Sequence, residues 1–213
     1  MKTILILSTD QTSLPGVVGI SEVLNVANIL HGIQNPGSRV FDFKVVSKIA
    51  EPFELVPGLK SHFTNGLLPY VQANAVIAPG FLYQSMSQLL EKLEESSEEI
   101  AWIKRQYQGG AIIGGSCSGS VLLAETGLLQ GKEATTSWWL EQLYKKRYKG
   151  IDLKIKQMLI DSHGIYTSGA FTSYLNLALS MVNNFAGKAT ALSCSKIRLI
   201  EMGRYYQAPY MDL

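Results

Sequence analysis

Short apolar runs separated by helix-patterned segments restrict the fold of this chain more than any other feature. Such runs are TILIL at 3–7, ANAVIAPG at 73–80 and AIIGG at 111–115. They are apolar on both faces, which is typical of strands buried on both sides of a sheet, and VFDFKVVS at 40–47 is a further strand. Strands that alternate with helices form an open, mostly parallel sheet covered by helices on both faces. The sequence therefore predicts an α/β fold.

The segments between these strands carry the helical and turn patterns that this fold requires. Apolar residues at helical spacing predict helices over 19–33, 83–95, 96–110, 171–185 and 188–201. Ser96 and Glu99 have the spacing of a capping box, and Gly109 follows the end of that helix. Proline, glycine and alternating apolar residues over 51–66 favour a small hairpin or meander. The apolar stretches on either side of DSHG, within 152–168, predict a hairpin.

Length and composition limit the functions that are open to the chain. Its 213 residues, of which 46% are apolar and 17% charged, fit one domain, and the net charge of +2 indicates no polyanionic partner. Two cysteines without metal-like spacing predict neither a disulfide framework nor a metal site, and they favour a reducing compartment. The N-terminus lacks a signal-peptide pattern, and no run of about 20 apolar residues predicts a membrane span. We expect a cytoplasmic protein without a membrane partner.

Cys117 lies in a glycine- and serine-rich joint, GGSCSGS, between a buried strand and a helix. Ligand sites in parallel sheets lie beyond the carboxyl ends of the strands, and Cys117 lies at such an end. Small neighbours make room for a sharp turn at a nucleophile. The start of the following helix is expected to lower the pKa of the thiol. The alternative is an inert cysteine that packs as a small apolar side chain.

Several stretches resemble one known family, in order along nearly the whole chain. They are GGSCSGSVLLAETGLLQGKEATTSWW (114–139), PGVVGISEVLNVAN (15–28), AVIAPG (75–80), YTSGAFTSYLNLALSMV (166–182) and the closing GRYYQAPY. Together they are similar to the ThiJ/PfpI superfamily, which has a class I glutamine amidotransferase-like fold. The closest branches are the sensor domains of AraC-type transcriptional regulators and the isonitrile hydratases.

The resemblance implies a fold, an assembly and a site. The fold would be a flavodoxin-like three-layer α/β sandwich with a mostly parallel central sheet, commonly assembled as a homodimer. Cys117 would be the cysteine of a nucleophile elbow. Backbone N–H groups near Gly80 and Phe81, together with Ser118, would line an anion- or carbonyl-binding recess of the oxyanion-hole type. Gly16 would border this recess from the first loop.

The sequence departs from the family pattern where catalytic members carry proton-transfer groups. Gly16 stands where the hydratase-like branch has an acid, and Ile20 replaces a proline. Ser118 and Ser137 stand where histidines are found in other members, and Asn176 replaces an aspartate. A thiolate without an acid or base nearby does not readily transfer protons. These departures weaken the prediction of an enzyme.

The remaining titratable residues supply few replacements. Glu22 is the nearest acid and is retained as a candidate catalytic acid, although a surface position on its helix is the alternative. The three histidines are His31, His62 and His163. Nothing in the sequence predicts that any of them faces Cys117, and His163 fits a turn.

Two functions are therefore carried forward. The first is a stand-alone sensing domain for a small molecule or for redox state, with a reactive Cys117 in a small-molecule pocket. The alternative is a cofactor-independent, cysteine-dependent lyase or hydrolase of isonitrile hydratase-like type, and a dimer with an inert Cys117 is a third possibility. Residues 1–213 are expected to form a single domain without a helix-turn-helix and without direct nucleic-acid binding. We expect a homodimer that needs no cofactor.

Overall fold

The computed structural model describes residues 1–48, 54–56, 59–60, 66–67 and 71–211, and its elements alternate as the sequence predicts. In chain order they are β1 (Lys2–Leu7), α1 (Leu14–Gln34), β2 (Phe41–Val46), β3 (Glu54–Val56), β4 (Leu59–Lys60), β5 (Ala75–Ala78), α2 (Met86–Glu95), α3 (Ser97–Gln108), β6 (Ile112–Ser116), α4 (Gly119–Glu125), β7 (Glu133–Ala134), α5 (Glu141–Arg147), β8 (Asp152–Leu153), β9 (Leu159–Asp161), β10 (Ile165–Ser168) and α6 (Tyr174–Ile197).

The central sheet of the described residues has the strand order β2-β1-β5-β6-β10-β9. Each neighbouring pair from β2 to β10 is parallel, and β9 pairs with β10 in the antiparallel sense at the edge. Because β1, β5, β6 and β10 are parallel, their carboxyl ends lie along one edge of the sheet. The loops that follow these strands therefore meet there, as the sequence predicts.

The sheet separates two hydrophobic cores. Leu5 and Leu7 of β1 face one core, which they share with buried Trp102 and Tyr144 from the helices on that side. Ile4 and Ile6, which alternate with them along the strand, face α1 and α6 on the other side. This arrangement of helices, sheet and helices is the three-layer α/β sandwich of flavodoxin type, and it confirms the predicted fold class.

Helix α1 differs from the prediction in its start and in its apolar character. It begins at Leu14, ahead of the predicted Gly19, and Pro15 occupies its first turn, where a missing N–H costs no hydrogen bond. With a mean hydropathy of 1.3, it is long and apolar enough to cross a membrane, which corrects the expectation that no such run exists. Of that apolar window, 44% is buried, and α1 packs against α6 and β2. A core helix passes the same test, and the buried side chains of α1 form part of the core between α1, α6 and the sheet.

Of the other helix predictions, one needs correction and one is confirmed. Ser96 precedes α3 but forms no capping box: its hydroxyl donates to the Lys92 carbonyl at 2.8 Å. The two helices predicted over 171–185 and 188–201 are confirmed, because the run Tyr174–Ile197, given above as α6, is interrupted by a non-helical residue at Gly187. There φ is +84°, a conformation that favours glycine.

One of the two predicted hairpins lies entirely within the described residues, and the other lies within them only in part. β9 and β10 form the antiparallel pair expected around DSHG, with His163 in the turn at a φ of +58°. The described parts of 51–66 include β3 and β4, which pair in the antiparallel sense. The rest of that range, with His62, lies outside the described residues.

Candidate functional site

Cys117 lies between β6 and α4, at the edge where the carboxyl ends of the parallel strands meet. Its φ is +52°, a left-handed conformation that costs a residue with a side chain about 1–2 kcal/mol. Its N–H donates to the carbonyls of Ser168 and Gly169, at 3.0 and 3.1 Å. Its own carbonyl accepts from the amide and the hydroxyl of Ser120, at 3.1 and 2.6 Å. Hydrogen bonds on both sides thus hold this backbone in its unfavourable conformation.

Glycines next to the cysteine allow this joint to form. A Cβ on Gly119 would lie 2.2 Å from the Ala78 carbonyl oxygen, and one on Gly115 would lie 2.9 Å from the Gly119 carbonyl oxygen. Both neighbours are backbone atoms that cannot easily move aside. The glycine-rich sequence around Cys117 is therefore required by the close approach of β5, β6 and α4.

The Cys117 sulfur accepts a hydrogen bond from the Ser137 hydroxyl at 2.9 Å. Only 8% of the residue is exposed. Burial raises the pKa of the thiol, and hydrogen bonds from Ser137 and Ser118 oppose this effect without reversing it. The expected lowering of the pKa by the start of the following helix is therefore wrong in direction. Burial therefore favours the thiol over the thiolate at Cys117.

A small recess opens beside this sulfur. It is lined by Ser13, Gly16, Gly80, Phe81, Leu82, Cys117, Phe171 and Tyr174. Its volume is about 20 Å³, which is close to the space that one water molecule needs. Leu82 and Phe171 are 42% and 49% exposed, so they can move with little loss of packing. A molecule larger than water must displace one of these side chains to reach Cys117.

The structure brings Gly16, Gly80 and Phe81 together with Cys117 in this recess. A Cβ on Gly80 would lie 3.0 Å from the Cys117 Cβ, and one on Gly16 would lie 3.0 Å from the Pro79 Cβ. The loop that follows β1 is tied to the same place, because the Ser13 N–H donates to the Gly80 carbonyl at 2.8 Å. Three of the predicted binding residues therefore line the recess beside Cys117.

The predicted oxyanion hole needs correction at Phe81 and Ser118. The Phe81 N–H donates to the Ser118 hydroxyl oxygen at 2.7 Å, and that hydroxyl donates to the Phe81 carbonyl at 2.7 Å. Because the N–H is already bonded within the protein, it is not free to bind an anion. Ser118 joins the turn after β5 to the joint after β6.

Glu22 lies outside the recess. Its carboxylate on α1 is 48% exposed and pairs with Arg198 near the end of α6. The Tyr174 ring packs against Gly19 on the same helix, where an added Cβ would lie 2.4 Å from the ring. Glu22 is thus held by a surface ion pair, and the contacts of the described residues do not support its predicted role as an acid toward Cys117.

Ser137 is the functional residue that the sequence prediction did not assign to the site. The sequence did carry a signal for it, because Ser137 aligns with the histidine of the family's TTHW segment. The structure places that position in contact with the Cys117 sulfur.

The remaining predicted residues lie away from Cys117. Asn176 donates to the Glu201 carbonyl at 3.1 Å and borders a separate cavity of about 570 Å³ between β9, β10, α6 and the C-terminal segment. His31 lies near the end of α1, and His163 is in the β9–β10 turn. Within the described residues, no group of three or more His, Cys, Asp or Glu side chains is placed to hold a metal ion.

Comparisons with known proteins agree with this geometry. The sequence model of the DJ-1/PfpI family matches residues 74–184. The chain is 25% identical over 186 residues to the HTH-type transcriptional regulator CdhR of Pseudomonas aeruginosa, covering 86% of this chain and 51% of that protein. It is 28% identical over 99 residues to the isonitrile hydratase of Pseudomonas putida, covering 46% of this chain and 42% of that protein.

The chain therefore spans about half of the length of the curated relatives it matches, or less. Among solved structures, an AraC family transcriptional regulator from Pseudomonas putida superposes with a TM-score of 0.70 at 15% identity. The match covers 93% of this chain and 100% of that one. At this identity the structural match shows the fold alone. These matches confirm the predicted relationship to the ThiJ/PfpI superfamily and to its regulator and hydratase branches.

Proposed function

We propose that this chain, which belongs to the DJ-1/PfpI family, is a small-molecule-sensing domain in which Cys117 contacts the ligand. The observation that carries the proposal is the environment of the sulfur. Cys117 is fixed in a strained backbone conformation beside a recess, and the recess lining within the described residues contains neither a carboxylate nor an imidazole. Such a site can bind a ligand and signal its presence, but it lacks the carboxylate or imidazole that usually transfers a proton in catalysis.

The protonation state of the thiol supports binding over catalysis. A thiol is a much weaker nucleophile than a thiolate, and burial favours the thiol form of Cys117. Activation would require a base near the sulfur. Ser137 and Ser118 hydrogen-bond to the sulfur, the Ser137 hydroxyl donating at 2.9 Å, and neither residue is a base at neutral pH.

The lining of the recess indicates the chemical class of the ligand. Phe81, Leu82, Phe171 and Tyr174 supply apolar surface, while Ser13 and the Cys117 thiol supply polar groups at separate points. We infer a small, uncharged and mostly apolar molecule with one polar group or one soft electrophilic atom. Its entry requires Phe171 or Leu82 to move, so the recess selects strongly for size.

The relationship to regulators supports the same function. CdhR is a transcriptional regulator by name, and this chain matches about half of its length. A domain that binds a small molecule without converting it is a suitable input for such a protein. The homodimer and the cytoplasmic location stay predictions, and the exposed Val18, Ile29 and Ile33 on α1 agree with a dimer. Sedimentation equilibrium measures that assembly directly.

Thiol probes of graded size test the proposal. Iodoacetamide and the larger N-ethylmaleimide are applied to the native protein, and Cys117 and Cys194 are followed separately by peptide mass spectrometry. Each rate at Cys117 is divided by the rate of the same probe with glutathione; we expect this ratio to fall steeply with probe size and Phe171→Ala to raise it at least tenfold for the larger probe. Leu192→Ala removes a similarly exposed apolar side chain, 45% against 49% for Phe171, that does not line the recess, and it should change neither rate. Equal ratios for both probes, or no response to Phe171→Ala, would refute a size-selective recess.

One observation also favours a second function. Cys117 occupies a strand-to-helix joint with a positive φ, a geometry that presents nucleophiles in α/β enzymes, and the isonitrile hydratase of Pseudomonas putida is a relative. Hydration of an isonitrile adds one water to give an N-substituted formamide. Cyclohexyl isocyanide is incubated with the wild type and with Cys117→Ala. Formamide production that the substitution abolishes would replace the sensing proposal with a hydratase.

A further inference from the structure

Gln207 is buried within a C-terminal segment that is otherwise largely exposed. None of its surface is accessible, whereas Tyr205, Tyr206 and Tyr210 are 70%, 60% and 56% exposed. A buried amide next to exposed aromatic side chains must be held by specific hydrogen bonds, because burying it without partners costs on the order of 1–3 kcal/mol in proteins. Its partners therefore show what this segment is attached to.

The Gln207 amide joins three backbone segments. Its Nε2 donates to the Thr136 and Ile155 carbonyls, at 2.7 and 2.6 Å. Its Oε1 accepts from the Ala170 N–H at 2.9 Å. Gly169 allows this approach, because a Cβ there would lie 2.3 Å from the same oxygen. The amide thus uses both its donor and its acceptor on backbone groups from distant parts of the chain.

Two of these segments are the ones that hold Cys117. Thr136 directly precedes Ser137, whose hydroxyl contacts the sulfur, and the Thr136 hydroxyl lies 3.4 Å from the Cys117 carbonyl oxygen. Gly169, which precedes Ala170, accepts the Cys117 N–H at 3.1 Å. The buried Gln207 amide therefore links two segments. One carries the Ser137 hydroxyl that contacts the Cys117 sulfur, and the other carries the Gly169 carbonyl that accepts the Cys117 N–H.

The same segment continues to the surface. The Met158 N–H donates to the Tyr205 carbonyl at 2.8 Å, and the Gln207 N–H donates to the Lys156 carbonyl at 2.9 Å. Arg204 and Tyr205 form part of the wall of the 570 Å³ cavity. A shift of the backbone at Gln207 is consequently transmitted to exposed side chains.

We propose that Gln207 is a positioning residue for Cys117, and that the recess and the C-terminal segment 202–210 change conformation together. This inference deepens the proposed function, on which its biological meaning rests. A ligand that separates the Ser137 hydroxyl from the Cys117 sulfur weakens the hydrogen bonds of Gln207, and the exposed surface of segment 202–210 changes as a result. Gln207 touches neither the ligand nor the sulfur, and it acts through Thr136 and Ser137.

A pH profile of Cys117 alkylation separates positioning from general destabilisation. The Ser137 hydroxyl stabilises the thiolate, so Ser137→Ala should shift the midpoint of the profile upward. Gln207→Met keeps the size of the side chain and removes its hydrogen bonds. It should shift the midpoint in the same direction, with reaction below the midpoint about threefold slower, equivalent to roughly half a pH unit. The double variant should match Ser137→Ala alone.

Gln106→Met is the matched control for this profile. Gln106 is also buried; its Nε2 donates to the Val71 carbonyl at 2.7 Å and its Oε1 accepts from the Ala73 N–H at 2.9 Å, remote from Cys117. We expect Gln106→Met to lower stability but to leave the Cys117 profile unchanged. Equal shifts for the two glutamine variants, or a wild-type profile for Gln207→Met, would overturn the proposal.

Hydrogen exchange in the unmutated protein tests the coupling from the other direction. Alkylation of Cys117 with iodoacetamide introduces four heavy atoms into a recess that holds about one water. We expect the amides of Met158, Ala170 and Gln207 to exchange at least fivefold faster, and those of Val40 and Phe41, which are bonded to buried Asn28, to stay unchanged. Unchanged exchange at Gln207 would reject the coupling even if the graded probes support sensing. Faster exchange together with failure of the probe experiment would retain positioning and reject sensing.

Discussion

Cys117 and Cys194 are both buried thiols, but only one of them lies where chemistry or binding is possible. Cys194 is inside α6, has no exposed surface and packs among the apolar side chains between α1, α6 and the sheet. Cys117 has a positive φ, a hydroxyl on its sulfur and a recess beside it. Burial raises the pKa of both. Burial and pKa therefore do not distinguish them, whereas backbone conformation and position at the edge of the sheet do.

The largest effect is expected when the tight backbone packing around Cys117 is disturbed. Gly119→Ala places a Cβ 2.2 Å from the Ala78 carbonyl oxygen, so β5 and α4 must separate. We expect a loss of about 3 kcal/mol in the free energy of unfolding, measured by urea denaturation. Gly203→Ala is the control, because a Cβ there has no neighbour within 4 Å. A loss below about 1 kcal/mol for Gly119→Ala would show that the joint at Cys117 is not tightly constrained.

Alkaline pH should destabilise the protein through both thiols. Their folded pKa values lie above those of the unfolded chain, so the stabilisation is complete below about pH 8.5 and is lost as the pH rises toward the folded values. Each thiol contributes up to about 1.4 kcal/mol per pH unit in that range. Tyr83, whose pKa burial raises to about 12, adds to the loss only above about pH 10.

The measurement is the free energy of unfolding between pH 7 and 10, in the wild type and in each cysteine-to-alanine variant. Each substitution should flatten the decline, and the double substitution should flatten it most. An unchanged slope in Cys117→Ala would mean that its thiol titrates equally in the folded and unfolded chains.

Glycine and alanine substitutions should have opposite orders of stability at the two cysteines. At Cys117 the positive φ favours glycine, so Cys117→Gly should be more stable than Cys117→Ala by about 1 kcal/mol. At Cys194 the backbone is helical, so Cys194→Gly should be less stable than Cys194→Ala by about 1 kcal/mol. Thermal unfolding of the four variants gives both differences. The same order at both sites would contradict the strained conformation of Cys117.

The smallest effect is expected at Glu22. Its ion pair with Arg198 is exposed, so Glu22→Gln should cost less than about 0.5 kcal/mol and should leave the rate of Cys117 alkylation unchanged. Glu125→Gln provides a comparison, because Glu125 pairs with Arg147 outside the recess and is more buried. A clear change in Cys117 reactivity on substitution of Glu22 alone would restore its predicted role as an acid.

Apolar periodicity was sufficient to predict the fold because it reports local structure and burial directly. The runs at 3–7 and 73–80 are buried strands, and their alternation with helices placed Cys117 at the sheet edge. The residues that resemble the family also predicted three of the lining residues, Gly16, Gly80 and Phe81. The separation of the helices over 171–185 and 188–201 was predicted as well, and it falls at Gly187, where a positive φ favours glycine.

The contacts of the site could not be read from the sequence. Ser137 and Cys117 are 20 residues apart, Phe81 and Ser118 are 37 apart, and Glu22 and Arg198 are 176 apart. Whether a hydroxyl meets a sulfur or a carboxylate meets a guanidinium depends on how whole elements pack. The sequence alone showed which groups were available to Cys117, but not which of them reached it.

The sequence by itself determined an α/β chain of the DJ-1/PfpI family with a cysteine at a glycine-rich joint, because local patterning and residue size specify strands, helices and close approaches. Only the tertiary structure decided that burial outweighs the hydrogen bonds to the sulfur in shifting the thiol pKa, that Ser137 contacts the sulfur, and that Gln207 links the site to the C-terminal segment. Those outcomes depend on desolvation and on hydrogen bonds between distant segments, which exist only once the layers have packed.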